Sequence, residues 1–411
     1  MAFLNLLLIF INSKVLGRDG MGVIGIIYAS ANIAVIFNSI LCGNTIVYFM
    51  NKYNLRYVFY PAYVWAFAGS VIACGVMYLF NMLPEGYEVM VFGLAVLISL
   101  VTANSLMLLG KDNVKGFNVT YIFQGALMFI MLLCLYFIAD FKNVGGYLIG
   151  LFVANLAAYI LSIIMLSPYL RVKENKTVSK PFAGILKEMF LYGIWSGADN
   201  LAEGLTTRLN YFFVQNTGGY GNVGLLESGT KMSESVWHLS NSISYIEYNS
   251  VSKTTDRAEQ KRITLQLFKL TYSALILVMA AIVCIPEWVF TEYLLTPEFA
   301  GIRKVIIGLS SGIVALGSNR IISHYFIGSG NIKYSTFCSM FGLLILLIAG
   351  LFLIPAYGVV GAAYTSSIAY SCMLIFSLAV FMKQTKTTPG ELLLSKGDIK
   401  ELIIKVKNKN N

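Results

Sequence analysis

Charge is scarce in this sequence. Only 12% of its 411 residues are charged, against about 25% in soluble domains, while 57% are hydrophobic and the mean hydropathy is +0.72. That balance excludes a soluble globular fold and describes an integral membrane protein. Cysteine is sparse too: Cys42, Cys74, Cys134, Cys284, Cys338 and Cys372 stand singly in apolar segments without a C-x-x-C pair, which excludes a disulfide framework. The two histidines, His238 and His324, lie far apart with no local Cys or His partner, so neither metal nor cofactor is expected. Prolines such as Pro61, Pro84, Pro168, Pro286 and Pro355 fall at span ends or in loops, which leaves no proline hinge inside a span and favours movement of whole helix groups. Basic residues outnumber acidic ones for a net charge of +10, but they sit in short loops between apolar runs. That pattern speaks of membrane topology and not of nucleic acid.

What is present is a series of long apolar runs. A spanning helix needs about 20 mainly apolar residues, and about twelve segments qualify as candidates. They are 2–12, 22–49, 60–82, 88–109, 117–139, 147–166, 189–215, 223–249, 264–286, 304–327, 334–354 and 358–382. The first is short and lacks a basic leader and a small-residue cleavage site, so it does not read as a signal peptide; either its start lies upstream or Asn12 to Leu16 complete it. With both termini in the cytoplasm, the inner loops hold most Lys and Arg, including Lys52, Lys111, Arg171, Lys187, Arg257 and Lys333. The outer loops keep only Lys14, Arg18, Lys142, Arg303 and Lys304, with Lys14 and Arg18 the awkward members.

The chain also repeats itself. Leu109-Gly110-Lys-Asp-Asn113-Val-Lys115 matches Ile327-Gly328-Ser-Gly-Asn331-Ile-Lys333, and Gly20-Met-Gly22-Val resembles Asn222-Val-Gly224-Leu. Val144-Gly-Gly146-Tyr likewise resembles Val360-Gly361-Ala-Ala-Tyr364. Each half therefore reads as one six-helix unit: 1–170 and 189–385, joined by a basic cytoplasmic linker, 171–188, with 386–411 as a cytoplasmic tail. An even number of helices per unit gives parallel copies, related by an axis along the membrane normal.

Two stretches are polar against this background. Glu227, Lys231, Glu234 and His238 follow at steps of four, three and four, which places them on one face of a helix. Before them Asp199, Glu203, Thr206, Thr207 and Asn210 recur at helical spacing, with Arg208 one residue round. In a bilayer such groups face protein or water, so the chain is expected to enclose a hydrophilic cavity.

At this point the residues resemble a family. Val15-Leu-Gly17-Arg18-Asp-Gly20-Met-Gly22, entering the second span, resembles the LG-x-x-x-x-G segment of polysaccharide transporters, the O-antigen flippases of the Wzx type within the MATE-like superfamily. Gly221-Asn-Val-Gly224-Leu, Gly328-x-x-Asn331-x-Lys333 and Ile354-Pro-Ala-Tyr357-Gly358-Val-Val-Gly361-Ala-Ala363 add to the likeness, which spans nearly the whole chain. The resemblance implies an all-α polytopic membrane protein, two six-helix bundles around a central cavity, in the bacterial cytoplasmic (inner) membrane. It also implies alternating access and a lipid-linked oligosaccharide substrate on an undecaprenyl pyrophosphate carrier. The short first span and the lack of a marked cation-site motif in the first half depart from the pattern and bear on ion coupling.

Flipping such a lipid means moving a pyrophosphate and a sugar chain through the bilayer, and cations in a wet cavity make that feasible. Arg208, Lys231 and Arg320, with His324 one turn after Arg320, are the candidates to meet phosphate or acidic sugars. The competing reading is static pairing, of Lys231 with Glu227 and Glu234 and of Arg208 with Asp199, Glu203 or Glu227. The acids Asp199, Glu203, Glu227 and Glu234 are candidates for proton or ion coupling, or for the same static pairs. Asn32, Asn38 and Gln124 offer amides to sugar hydroxyls or to neighbouring helices. Glu247 and Glu287 lie near span ends and are expected to be solvated. From Pro389 onward an amphipathic run, with Leu392, Ile399 and Leu402 against Lys396, Lys400 and Lys405, is expected to rest on anionic membrane lipids and to offer a surface to polysaccharide assembly proteins. A MATE-like cation-coupled drug antiporter fits the same fold, whereas a membrane enzyme of glycan assembly calls for a long catalytic loop that is missing, so no enzymatic activity is expected.

Overall fold

The computed structural model describes residues 2–171, 181–254 and 256–392, and every absence stated below concerns those residues. They are almost all helical, with no strand. Three of the longest helical runs each contain one glycine in a left-handed conformation: Gly17 in Ala2–Cys42, Gly219 in Phe182–Glu234 and Gly358 in Ile332–Thr385. The chain doubles back at these points. Arg208 and Glu234, 26 residues apart, are hydrogen-bonded across Gly219, and a Cβ on Gly361 would lie 2.0 Å from the Leu353 carbonyl across Gly358. Gly17 (φ 66°, ψ −172°) and Gly219 (φ 69°, ψ −178°) have almost the same backbone angles, so the two halves use one and the same turn. Only glycine adopts that region without strain.

Cut at these turns, the described residues form twelve helices. They are α1 (2–16), α2 (18–52, interrupted at Gly43), α3 (Leu55–Leu79), α4 (Glu88–Gly110), α5 (Val114–Leu133, continued by a π-helical turn) and α6 (Val144–Arg171). The second half repeats the order with α7 (182–218), α8 (220–253), α9 (Arg257–Cys284), α10 (Ile302–Gly328), α11 (332–357) and α12 (359–385). By length and hydropathy alone eight helical runs qualify to cross a membrane; two of them, Leu6–Met50 and Ile332–Thr385, are runs that double back. The protein is thus an all-α, multi-pass membrane protein with the helices predicted from the apolar runs. The first helix runs on through Asn12 to Leu16, and α3 starts five residues earlier than expected, which puts Pro61 inside it.

Two-fold symmetry is written into the backbone. Left-handed residues fall at matching loops of the two halves: Gly86 and Gly301, Asp112 and Gly330, Asp140 and Gly358. At the end of the bundle that carries the Gly17 and Gly219 turns, α2 and α8 cross in contact. A Cβ on Gly22 would sit 1.8 Å from the Tyr220 carbonyl oxygen, and one on Gly224 would sit 1.9 Å from that of Arg18. Each glycine meets the residue four before its counterpart, the reciprocity of a two-fold contact. Lys14 and Arg18, the basic residues that defied the charge pattern, act here as ties between the halves. Arg18 donates from Nε to the Gly221 carbonyl (2.7 Å) and from Nη2 to Asn222 (2.5 Å), and Lys14 donates to the Tyr293 carbonyl (2.9 Å). At the opposite, basic end, Lys52 and Tyr53 of the first half both bond Glu188 of α7 (3.1 and 2.9 Å), and Tyr48 stacks on Tyr192.

The crossing generates a prediction. Gly22→Ala and Gly224→Ala each force two backbones apart and are expected to cost about 2 kcal/mol or more, whereas Gly75→Ala, with open space around it, is neutral. Thermal unfolding of the purified protein in detergent checks this, and unchanged melting of the Gly22 or Gly224 variant contradicts the two-fold crossing.

Candidate functional site

Between the halves lies a cavity of about 920 Å³, walled by α1, α2, α4, α5 and α6 on one side and by α7, α8 and α10 on the other. Its charged lining, Glu203, Arg208, Lys231, Glu234 and Arg320, comes entirely from the second half. The first half contributes uncharged polar groups, among them Asn12, Asn32, Gln124 and Asn155.

Each cation of the wall has its own acid. Arg208 grips Glu234 with both terminal nitrogens (3.0 and 2.8 Å) and also donates to the Tyr211 hydroxyl (3.2 Å). Lys231 pairs with Glu227 one turn away and lies 4.7 Å over the ring of Tyr28, so it touches both halves. Arg320 donates to Asn241, stands 3.5 Å from Glu203 and lies 4.5 Å over the Trp237 ring. Three positive and three negative groups leave the wall close to neutral when nothing is bound. Among these pairs the Arg320–Glu203 pair is the longest, and its acid, 32% exposed, is the most open. Of the three cations Arg320 is therefore the one that gives up its acid most readily to an arriving anion.

The arrangement depends on a break in α8. At Ser235 and Val236 the helix is interrupted by turns, and the Ser235 hydroxyl bonds back to the Met232 carbonyl (2.6 Å), a competition that serine imposes on a helix. The stripe Glu227–Lys231–Glu234–His238 runs through this turn: Lys231 and Glu234 line the cavity from the upper segment and His238 from the lower segment, Trp237–Lys253.

The other candidates lie off the cavity wall. Asn38 is fully buried and donates to the Ala66 carbonyl, Ser70 and Ser99, tying α2 to α3 and α4. Asp199, 7% exposed, accepts from Ser335 (2.9 Å) and Ser339 (2.7 Å) and so binds α7 to α11. Glu227 is 1% exposed behind Lys231, and the Nδ1 of His324 meets the Arg320 carbonyl one turn back along α10. Asn32 and Gln124 do line the cavity, but Gln124 donates to Asn155 (2.7 Å) and holds α5 to α6. Two expectations need correcting. Glu247 is fully buried instead of solvated, because the lower segment of α8 is covered on one face by α9 and α10; Glu287 is half-buried and accepts the Gly301 amide. Tyr28, Trp237 and Asn241 went unnoticed in the sequence, although Trp237 inside the most polar stretch was a visible signal.

No family model matches the chain, and no curated protein matches it by sequence. Solved structures do. The fold is similar to an inward-facing multidrug resistance MATE family transporter of the MOP superfamily (TM-score 0.73, 14% identity, 94% of this chain and 95% of that one). It is also similar to the lipid II flippase MurJ in an inward closed conformation (TM-score 0.69, 15% identity, 95% and 87%). An outward-facing MATE structure matches less well, at 0.55, with 15% identity over 90% and 86%. At such identities the likeness establishes the fold, that of MATE and MurJ transporters.

The bidentate pair gives a test. Arg208→Leu strands Glu234 and is expected to lower stability by about 1–3 kcal/mol, and the exchange Arg208→Glu with Glu234→Arg is expected to recover at least half of it. Denaturation in detergent reads both; an exchange no better than the single change contradicts the pairing.

Proposed function

We propose that this protein is a flippase that carries a lipid-linked oligosaccharide, anchored on undecaprenyl pyrophosphate, across the bacterial cytoplasmic membrane by alternating access. The observation that carries the reading is the single cationic wall, Arg208, Lys231 and Arg320, set into a cavity whose opposite side is polar and uncharged. A pyrophosphate entering the membrane needs fixed cations, and guanidinium groups meet phosphate oxygens two at a time. Acidic partners keep the empty cavity neutral and are displaced by the substrate, Glu203 first. The sugar chain then faces Asn32, Gln124 and the aromatic rings of the first half. Residues 1–170 and 189–385 rock against each other as rigid units about the linker 171–188. The Gly22/Gly224 crossing forms the closed outer end, a placement in keeping with the better match to the inward-facing MATE structure and with both termini in the cytoplasm. The carboxyls Glu203, Glu227, Glu234 and Asp199 contribute to coupling the cycle to a proton or ion gradient.

Beyond α12, Glu391 pairs with Lys261 (2.8 Å) and pins the start of the tail to α9; the lysine partner and a Thr388 amide draw its carboxyl down to a pKa of about 2. The amphipathic stretch from residue 393 lies outside the described residues; its role is to rest on anionic lipid and present a face to polysaccharide assembly proteins. A second reading, a cation-coupled multidrug antiporter, has the MATE likeness in its favour. It needs free acids for a cationic drug, and here the acids lining the cavity are engaged by Arg208 and Arg320.

Proteoliposomes loaded with the pyrophosphate-linked glycan separate the two. Arg320→Ala is expected to slow flipping about tenfold or more, the loss of one charged hydrogen-bonding group, and Lys231→Ala to slow it less, with no effect on cationic dye movement. Normal flipping in both variants at normal protein levels contradicts the flippase reading, and dye export by the wild type supports the antiporter.

A further inference from the structure

The second half holds a buried carboxyl that the cavity does not use. Glu247, on the lower segment of α8, is 0% exposed, and neither of its carboxylate oxygens has a hydrogen-bond partner among the described residues. It belongs to a polar seam. Ser240, Ser244 and Glu247 recur along one face of α8, all fully or almost fully buried, and α9 presents buried Gln260, Thr264 and Thr271. Gln260 sets the register by donating to the carbonyls of Val251 (3.2 Å) and Thr254 (2.8 Å). Thr264 stands beside Glu247, while its hydroxyl donates to the Gln260 carbonyl (2.9 Å). The hydroxyls of Ser240 and Thr271 are unpartnered as well.

Among the described residues Thr264 of α9 faces Glu247, and Tyr325 of α10 lies close both to Glu247 and to Arg257 at the start of α9. No salt bridge reaches Glu247 among the described residues. An ionised carboxylate enclosed in this way costs several kcal/mol, and a bound proton removes that cost. A hard metal cation is a poor occupant, since it takes about six oxygen ligands or more and, among the described residues, Thr264 is the hydroxyl placed against the carboxyl. Glu247 lies nine residues beyond His238 on the cavity wall, about 13 Å along the helix axis, and below the turn at Ser235 and Val236, where the α-helical hydrogen bonds give way to tighter ones.

We propose that Glu247 is a proton-coupling site separate from the substrate cavity: sealed between α8, α9 and α10 it holds a proton, and it releases that proton when the lower segment of α8 swings away and water reaches the carboxyl. Proton occupancy then biases which end of the cavity is open. The proposal rests on the alternating-access reading but not on its substrate, and its test needs none.

Spin labels at Lys142 and Thr217, exposed positions at the turn end of the two halves, report their separation in nanodiscs once the six native cysteines are replaced by Ser. The wild-type distance distribution is expected to shift between two populations over about pH 5 to 8. Glu247→Gln, which mimics the protonated carboxyl, is expected to hold the acid-side distribution at every pH, and Glu247→Asp to titrate still. A wild type that ignores pH, a shift driven by sodium at fixed pH, or a Glu247→Gln variant that titrates like the wild type overturns the proposal, the last by assigning the response to a cavity acid. Should Glu247→Gln fail to fold, Thr264→Val is expected to move the midpoint by about 0.5 pH unit or more, and an unmoved midpoint overturns it. Either result leaves the flippase reading to the glycan assay.

Discussion

A charge inside a bilayer has to be neutralised or wetted, and that constraint organises the structure. All the charges that line the cavity are gathered on α7, α8 and α10, each cation has an acid within reach, and the pairs face a water-accessible space instead of lipid. The Arg208–Glu234 fork shows the economy of the arrangement. It joins α7 to α8 across the Gly219 turn, so the contact that neutralises the guanidinium also fixes the angle between two wall helices.

The two-fold scaffold explains why charge can be confined to one half. Gly22 and Gly224 bring α2 and α8 into backbone contact, Arg18 ties the same crossing, and the same glycine turn opens both helices, so this contact is made outside the charged wall of the cavity. The half that is free of charge at the cavity ties itself together with amides, Asn38 to α3 and α4 and Gln124 to Asn155. The charged half uses Asp199 with two serines of α11. Similar packing is reached with different chemistry, which leaves the two cavity faces unlike in charge.

The fold was legible because its signals are periodic and long: apolar runs of bilayer length and glycine motifs repeated in order. The site was legible only in part. Arg208, Lys231, Glu234 and Arg320 were visible as charges in apolar surroundings, and the pairing of Lys231 with Glu227 followed from their spacing on one helix, but the partner of Arg208 did not, because Glu234 turns to α7 rather than to Lys231 on its own helix. Asn38 and Asp199 were indistinguishable in sequence from cavity residues, since helical spacing tells which residues share a face and not which neighbour that face meets. Glu247 was misjudged by its position near a span end; its burial comes from packing against α9 and α10. The turn at Ser235 and Val236 has no glycine or proline to announce it; the hydroxyls of Ser233 and Ser235 bond to helix carbonyls beside it.

The central claim is that the wall formed by α7, α8 and α10 receives a pyrophosphate. A structure determined by electron cryomicroscopy with undecaprenyl pyrophosphate present tests it most directly. The account predicts diphosphate density within hydrogen-bonding distance of Arg320, with Glu203 turned away from it. Density on the uncharged wall of the first half, or a lipid bound with every ion pair of the cavity intact, would contradict it.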